Sequence, residues 1–307
     1  MSEASRPRPL KEAARITQML DHVFGADRFD RAPVDVAALA LEYSRQVASQ
    51  SPIHEVVERN IPGCVGALVY SEVRPRQWAI MYHVGQSDGR RAFTIGHEFG
   101  HYVLHRQVIE DDASFDGGIY CDENAVVRRN GSGIEQEADE FAAALLMPLH
   151  DFRRQLPAKQ RADFDILSRL ARRYGVSLTA AILRWLECTE TRAIMVVSNE
   201  GFAHWAKPSK AALKSGRYIR TKNTVFELPG RAFAARSDYS DAALTGIMQP
   251  ADVWFPEPVF EMCFRSDRYD QEITVLQFET DGPHFQAEEQ ETDVFDRFIN
   301  SGQLPVR

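Results

Sequence analysis

No run in the sequence approaches the ~18 apolar residues that a membrane-spanning helix needs. The opening stretch MSEASRPRPLKEAARITQML also lacks the apolar centre of a secretory signal. A cytoplasmic protein that neither enters nor crosses a membrane is expected. Cysteine is scarce: Cys64, Cys121, Cys188 and Cys263 are dispersed and form no C-x-x-C pair. That argues against a disulfide framework or a cysteine zinc site and fits a reducing compartment. An excess of positive charge is missing too, because 44 acidic residues face 36 Lys and Arg, for a formal charge of −8. This argues against wholesale coating of nucleic acid. The remaining composition, 44% hydrophobic and 26% charged over 307 residues, is that of a soluble globular chain with room for about two domains.

What the sequence does hold is FTIGHEFGHYVLHR, residues 93–106. It has no proline, and its apolar residues recur at helical spacing. At roughly 100° per residue, Phe93, Ile95, Phe99, Val103 and Leu104 fill one broad arc, while His97, Glu98, His101 and His105 share the narrow one. His97 and His101 are one turn apart, about 6 Å along the axis, so both imidazoles can bend onto one ion. This is the H-E-x-x-H arrangement, with Glu98 beside the open position as candidate general base. His105 lies about 12 Å up the axis from His97 and cannot share the same tetrahedral ion. It reads as a hydrogen-bonded core histidine, with a wall or substrate-side role as the alternative.

A third ligand must come from elsewhere, and GIEQEADEFAAALLMP, residues 133–148, offers one. On a helical wheel Ile134, Ala138, Phe141, Ala142, Leu145 and Leu146 form an apolar arc with Glu135 as its single charged member. A carboxylate aimed at a core is costly unless paired or bound to metal. Glu137 and Glu140 fall outside the arc and read as solvated charge. Asp139, one turn after Glu135, stands where it can accept the outer N–H of a ligating histidine. Two histidines and one glutamate leave a fourth position for water, the catalytic pattern for zinc.

HEFGH followed about thirty residues later by E-x-E-A-D-x-F-A-x-x-L-L-M-P resembles the ImmA/IrrE family of bacterial zinc metallopeptidases, over roughly residues 10–190. The resemblance implies His97, His101 and Glu135 as zinc ligands and Glu98 as base. It also implies one Zn2+ per chain, with Mn2+ as a substitute. Members of that family are intracellular and cleave helix-turn-helix repressors of the XRE type, which derepresses stress-response, mobile-element or phage genes. Asp139 departs from the asparagine that many members carry there.

Around these motifs, PLKEAARITQMLDHVF and VDVAALALEYSRQVA read as amphipathic helices, and VGALVY and QWAIMYHV as strands. QWAIMYHV is expected to be the edge strand along which an extended substrate pairs. Residues from Leu104 to Gly133 read as a long polar loop bordering the cleft. The oxyanion-stabilising residue is left open among Tyr120, Tyr102 and His105, with Tyr120 preferred for its place in that loop. FDILSRLARRYGVSLTAAILRWLE reads as two helices joined by RYGVS, with Ser177 as N-cap. It looks like a helix-turn-helix, yet its apolar residues suffice for a packed hairpin of the kind family members carry against the peptidase. PVFEMCFRSDRYDQEITVLQFET reads as a β-hairpin inside a sheet.

The expected fold is therefore α+β. A zincin-like metallopeptidase core spans residues 1–150, an HTH-like helical hairpin packed on it spans 151–190, and a C-terminal mixed α/β, strand-rich domain of regulatory or sensor-like type spans 191–307. Residues 201–236 hold eight basic residues, among them Lys207, Lys210, Lys214, Arg217 and Arg220, against Glu227 alone. Residues 252–307 hold thirteen acids against four basic residues. Either the two stretches neutralise each other, or the basic one docks a partner protein or DNA. Three functions compete: a peptidase acting on an XRE-family repressor, a zinc-containing DNA-binding regulator, and a non-catalytic antitoxin-like binding module. The complete ligand and base set favours the first.

Overall fold

The computed structural model describes residues 7–72, 75–115, 117–122, 133–266 and 270–279. The chain divides into two compact units, Met1–Thr189 and Glu190–Arg307. It is mixed α and β, with one sheet in each unit. Among the described residues no helix is long and apolar enough to cross a membrane.

In the first unit, helices α1 (Pro9–Phe24) and α2 (Val36–Val47) precede strands β1 (Ile53–Arg59), β2 (Cys64–Tyr70) and β3 (Trp78–His83). Asp35 caps α2 by accepting from the Ala38 amide at 3.0 Å, which satisfies one otherwise orphaned donor. Helix α3 (Asp88–Asp111) follows, capped by Ser87, and then β4 (Gly118–Asp122), α4 (Gly133–Leu146) and α5 (Leu149–Gln155). The sheet order is β1-β3-β2-β4, parallel between β1 and β3 and antiparallel elsewhere. Two expectations change here. QWAIMYHV forms β3, which is an interior strand; the strand at the end of the sheet beside α3 in sequence is β4. The polar stretch after Leu104 is also not all loop: α3 continues to Asp111 and β4 occupies Gly118–Asp122, while residues 123–132 lie outside the described residues.

Helix α3 packs against α4 on one side and β2 and β3 on another. Its core face carries Phe99, whose ring meets Tyr43 at 5.6 Å and Phe141 at 5.7 Å edge-on. Each fully buried aromatic or leucine of this kind contributes about 1.5–3 kcal/mol. Opposite Phe141 stands Gly100, where a Cβ would come within 3.0 Å of that ring and 3.2 Å of the Ala138 backbone. A small residue at this crossing lets the two helices approach closely.

Helices α6 (Phe164–Tyr174) and α7 (Leu178–Cys188) form the expected hairpin within this unit. Asp163 caps α6, Gly175 closes it in the left-handed conformation with φ of 63°, and Ser177 caps α7. Along α7 only Glu187 is exposed, while Ala181, Ile182, Arg184, Trp185, Leu186 and Cys188 are buried. The buried face of α7 accounts for its apolar residues as core packing, while Leu178, Thr179, Ala180 and Leu183 are half-buried.

The second unit contains β5 (Ala193–Asn199), β6 (Phe202–Pro208), α8 (Lys210–Lys214), α9 (Asp241–Thr245), β7 (Ile247–Gln249), β8 (Val259–Ser266) and β9 (Gln271–Phe278). Its sheet runs β6-β5-β9-β8-β7, antiparallel throughout. The β8–β9 hairpin matches the sequence reading, and β5 and β9 are buried along nearly their whole length.

Asp151 of α5 is fully buried, and it accepts hydrogen bonds from Arg173 and Tyr174 at 2.8 Å each. Burial raises its pKa, but the bonds from Arg173 and Tyr174 outweigh that, and the net shift is downward. Removing one partner of such a pair costs about 3 kcal/mol, so urea unfolding of Asp151→Ala is expected to show that loss. The sign with pH follows from the depressed folded-state pKa. The contribution is present above the unfolded value of about 3.9 and is lost as pH falls through the folded value. Acid titration of wild type and variant should converge at low pH.

Candidate metal centre

Helix α3 presents His97, Glu98, His101 and His105 from a buried surface; the four are 3%, 0%, 0% and 1% exposed. The Nε2 atoms of His97 and His101 lie 3.0 Å apart. From α4, the Glu135 carboxylate reaches both, at 3.3 Å to His97 Nε2 and 3.4 Å to His101 Nε2. From β4, Sγ of Cys121 lies 3.4 Å from His97 Nε2 and 3.7 Å from His101 Nε2. One donor atom from each of these four residues falls within 4.8 Å of every other.

The outer ring nitrogens are held as metal-ligating histidines require. With Nε2 kept as a lone-pair donor, Nδ1–H of His97 donates to Asp139 at 2.8 Å. By the same tautomer, His101 donates from Nδ1 to Nδ1 of His105 at 3.1 Å, and His105 donates from Nε2 to Glu137 at 2.8 Å. Glu137 is therefore not the solvated charge expected of it: its side chain is long enough to reach round the helix to His105. His105 stays out of the donor cluster and orients His101.

Electrostatics point the same way. Burial lowers the pKa of His97, but hydrogen bonds to Asp139 and Glu135 reverse this and lift it to about 10. Carboxylates that favour a proton there favour any cation at the same place. Burial takes His101 down to about 4, so it stands neutral with a lone pair. Burial raises the Glu135 pKa, yet the two histidines hold the carboxyl far below the usual range. Burial pushes Glu98 up to about 7, a value suited to proton transfer near neutral pH. Among the described residues the Glu98 carboxylate meets no hydrogen-bond donor other than the Cys121 thiol, which lowers its pKa. Buried, converging donors of the His, His, Glu type with a further carboxylate beside them fit a zinc ion.

The space for Glu98 depends on Gly66 of β2. A Cβ at that position would stand 2.5 Å from Glu98 Oε1 and 2.6 Å from Thr94 Cγ2. A small cleft lined by Val65, Arg90, Phe93, Thr94, His97 and Glu98 opens onto the pair. Gly66 and Arg90 carry no signal in the sequence, and Cys121, one of the four dispersed cysteines that argue against a cysteine zinc site, stands among the donors; alternation of apolar Ile119 and Cys121 about Tyr120 is the signal available for β4.

Other expected residues are not brought here. Tyr120 is 57% exposed and, by strand alternation, points away from the face that carries Cys121. That corrects its assignment to the oxyanion. The Tyr102 hydroxyl is committed to the Ser51 carbonyl at 2.8 Å. The docking candidates belong to the second unit. There Lys210, Lys214 and Arg220 are exposed, Lys207 is half-buried on β6, and Arg217 pairs with Glu257, which Arg192 also holds. For Arg217 the neutralising account applies. The acids beyond residue 279 lie outside the described residues.

Residues 54–186 match the family model of the IrrE N-terminal-like domain, Peptidase_M78. A solved Mycobacterium tuberculosis transcriptional regulator is similar at 15% identity and a TM-score of 0.48, with 89% of this chain and 81% of that chain covered. No curated protein matches the chain.

Two outcomes follow for this centre. Metal analysis should find one ion per chain, lost in His97→Ala, His101→Ala and Glu135→Ala, whereas Asp139→Ala and His105→Ala weaken affinity by roughly 10- to 100-fold in chelator competition. Gly66→Ala should displace the Glu98 carboxylate while metal analysis finds the metal content unchanged.

Proposed function

We propose that the protein is a zinc-dependent endopeptidase, a reading supported by the match of residues 54–186 to the family model of the IrrE N-terminal-like domain, Peptidase_M78. Its substrate in this reading is a helix-turn-helix repressor of the XRE type, cut to release stress-response or mobile-element genes. The observation that carries the reading is the buried set of His97, His101 and Glu135 with Glu98 beside it. A structural zinc site has no use for a further buried carboxylate beside its donors, whereas hydrolysis requires a base there.

His97, His101 and Glu135 would hold the ion, and Asp139 and His105 orient the two rings. Bound zinc supplies Lewis acidity that polarises the scissile carbonyl and acidifies water. Glu98 takes the proton of the attacking water on a carboxylate oxygen and hands it to the leaving amine, a double duty consistent with its raised pKa. Among the described residues β4 ends the sheet, and it carries Cys121 into the centre, so its outer edge is where an extended peptide adds as a further strand. Such a mode selects linkers and frayed segments over packed domains. One cut between the dimerising and DNA-binding parts of a repressor removes the avidity that holds it on an operator.

The test incubates zinc-loaded protein with the XRE-type repressor encoded nearest its gene and maps the products by mass spectrometry. A discrete fragment pair that disappears with Glu98→Gln, a variant expected to keep its zinc and fold, supports the reading. Cleavage retained by Glu98→Gln, or no cleavage of any such repressor from the same genome, contradicts it.

A further inference from the structure

Two imidazoles and one carboxylate fill three corners of a tetrahedron, and a side chain already stands at the fourth. A tetrahedral ion with bonds of ~2.0–2.1 Å to nitrogen and oxygen and ~2.3 Å to sulfur has donor–donor edges of roughly 3.3–3.6 Å. The separations here are 3.0 Å between the imidazoles, 3.3 Å from one Glu135 oxygen to His97 and 3.4 Å from the other to His101, and 3.4 and 3.7 Å from the sulfur to the two imidazoles. Cys121 approaches both imidazoles at distances close to such edges, and its sulfur lies within 4.8 Å of the Glu135 donor atom.

A buried cysteine commonly serves as a small apolar filler. That account fails for Cys121, which is 1% exposed yet directed at two imidazole nitrogens. The enclosure also holds Glu98, fully buried and with no hydrogen-bond donor other than the Cys121 thiol among the described residues. Both side chains are arranged toward something between them.

We propose that Cys121 is a fourth ligand of the metal, and that it closes the centre and keeps the peptidase latent until Sγ is withdrawn. The inference rests on the metallopeptidase reading and adds a regulatory step to it. A hydrolytic zinc site needs one position for water, and four protein donors leave none. Withdrawal requires no redox chemistry: the thiolate leaves, water takes its place, and the sulfur regains a proton. β4 is suited to this because it is a short strand at the end of the sheet, bonded to β2 alone within that sheet. Moving a terminal strand breaks one ladder where an interior strand would break two. A peptide that adds to the outer edge of β4 engages the strand that carries the blocking ligand, so substrate binding and opening are coupled.

Cobalt(II) is the probe. The full-length protein is stripped with a chelator and titrated with cobalt while the absorption spectrum is recorded. One ion per chain should bind, with a thiolate-to-cobalt charge-transfer band in the near ultraviolet. Cys121→Ser should lose that band but keep the visible bands of bound cobalt, and Cys64→Ser should change neither. With zinc restored, Cys121→Ser should cleave unfolded casein at least about tenfold faster than wild type, as expected when a blocked position becomes available to water. Stoichiometric cobalt without the charge-transfer band in wild type overturns ligation by Cys121 and leaves the metallopeptidase reading intact. Absence of tight cobalt binding overturns both. A band that depends on Cys121, with casein cleavage unchanged or lower in the variant, overturns latency. Should the serine variant fail to fold, Cys121→Ala takes its place, and the wild-type spectrum alone still decides ligation.

Discussion

The close approach of α3 and α4 is the constraint on which the centre depends. Ring nitrogens from one helix and a carboxylate from the other must converge to within a few ångströms, which is less than two helices bearing large side chains at their crossing permit. Gly100 against Ala138 and Phe141 makes the approach possible. The same contact brings Asp139 to His97 and Glu137 to His105. α4 therefore supplies a metal donor and both carboxylates that orient the ligating rings, and an error in helix spacing would disturb all three at once.

Burial then sets the chemistry. Three histidines, Glu98 and Cys121 are all but removed from water, with Glu135 partly so. A cluster of this kind is costly unless a cation offsets it. The shifts share that origin: carboxylates raise His97, desolvation lowers His101, and desolvation raises Glu98. An arrangement that burdens folding for the empty chain becomes favourable when a divalent ion supplies the missing charge. Gly66 plays the matching part on the sheet side, since it provides the volume in which the Glu98 carboxylate sits.

Much of this was legible in the sequence because a helix converts spacing directly into direction. His97, His101 and Glu135 could be placed by angle alone, as could the cap Ser177 once its helix was read. Reach and strand order were not legible. A wheel puts Glu137 outside the apolar arc but says nothing of a side chain long enough to curl back to His105. Local alternation identifies β3 as a strand without saying that β1 and β2 flank it. β4 was hidden by its glycine-rich approach and by having only five residues, too few for Ile119, Tyr120 and Cys121 to display a period against a polar background. In the second unit the β8–β9 hairpin was visible as two runs about a polar turn, while the order of the five strands depends on pairings distant in sequence.

The measurement that bears most directly on the centre is zinc K-edge X-ray absorption of the loaded protein, because it counts and identifies the donors without reference to activity. The account predicts a four-coordinate ion with two imidazoles and one carboxylate oxygen at ~2.0–2.1 Å and one sulfur at ~2.3 Å. A shell without sulfur, one without imidazole, or one made of water oxygens alone would contradict it.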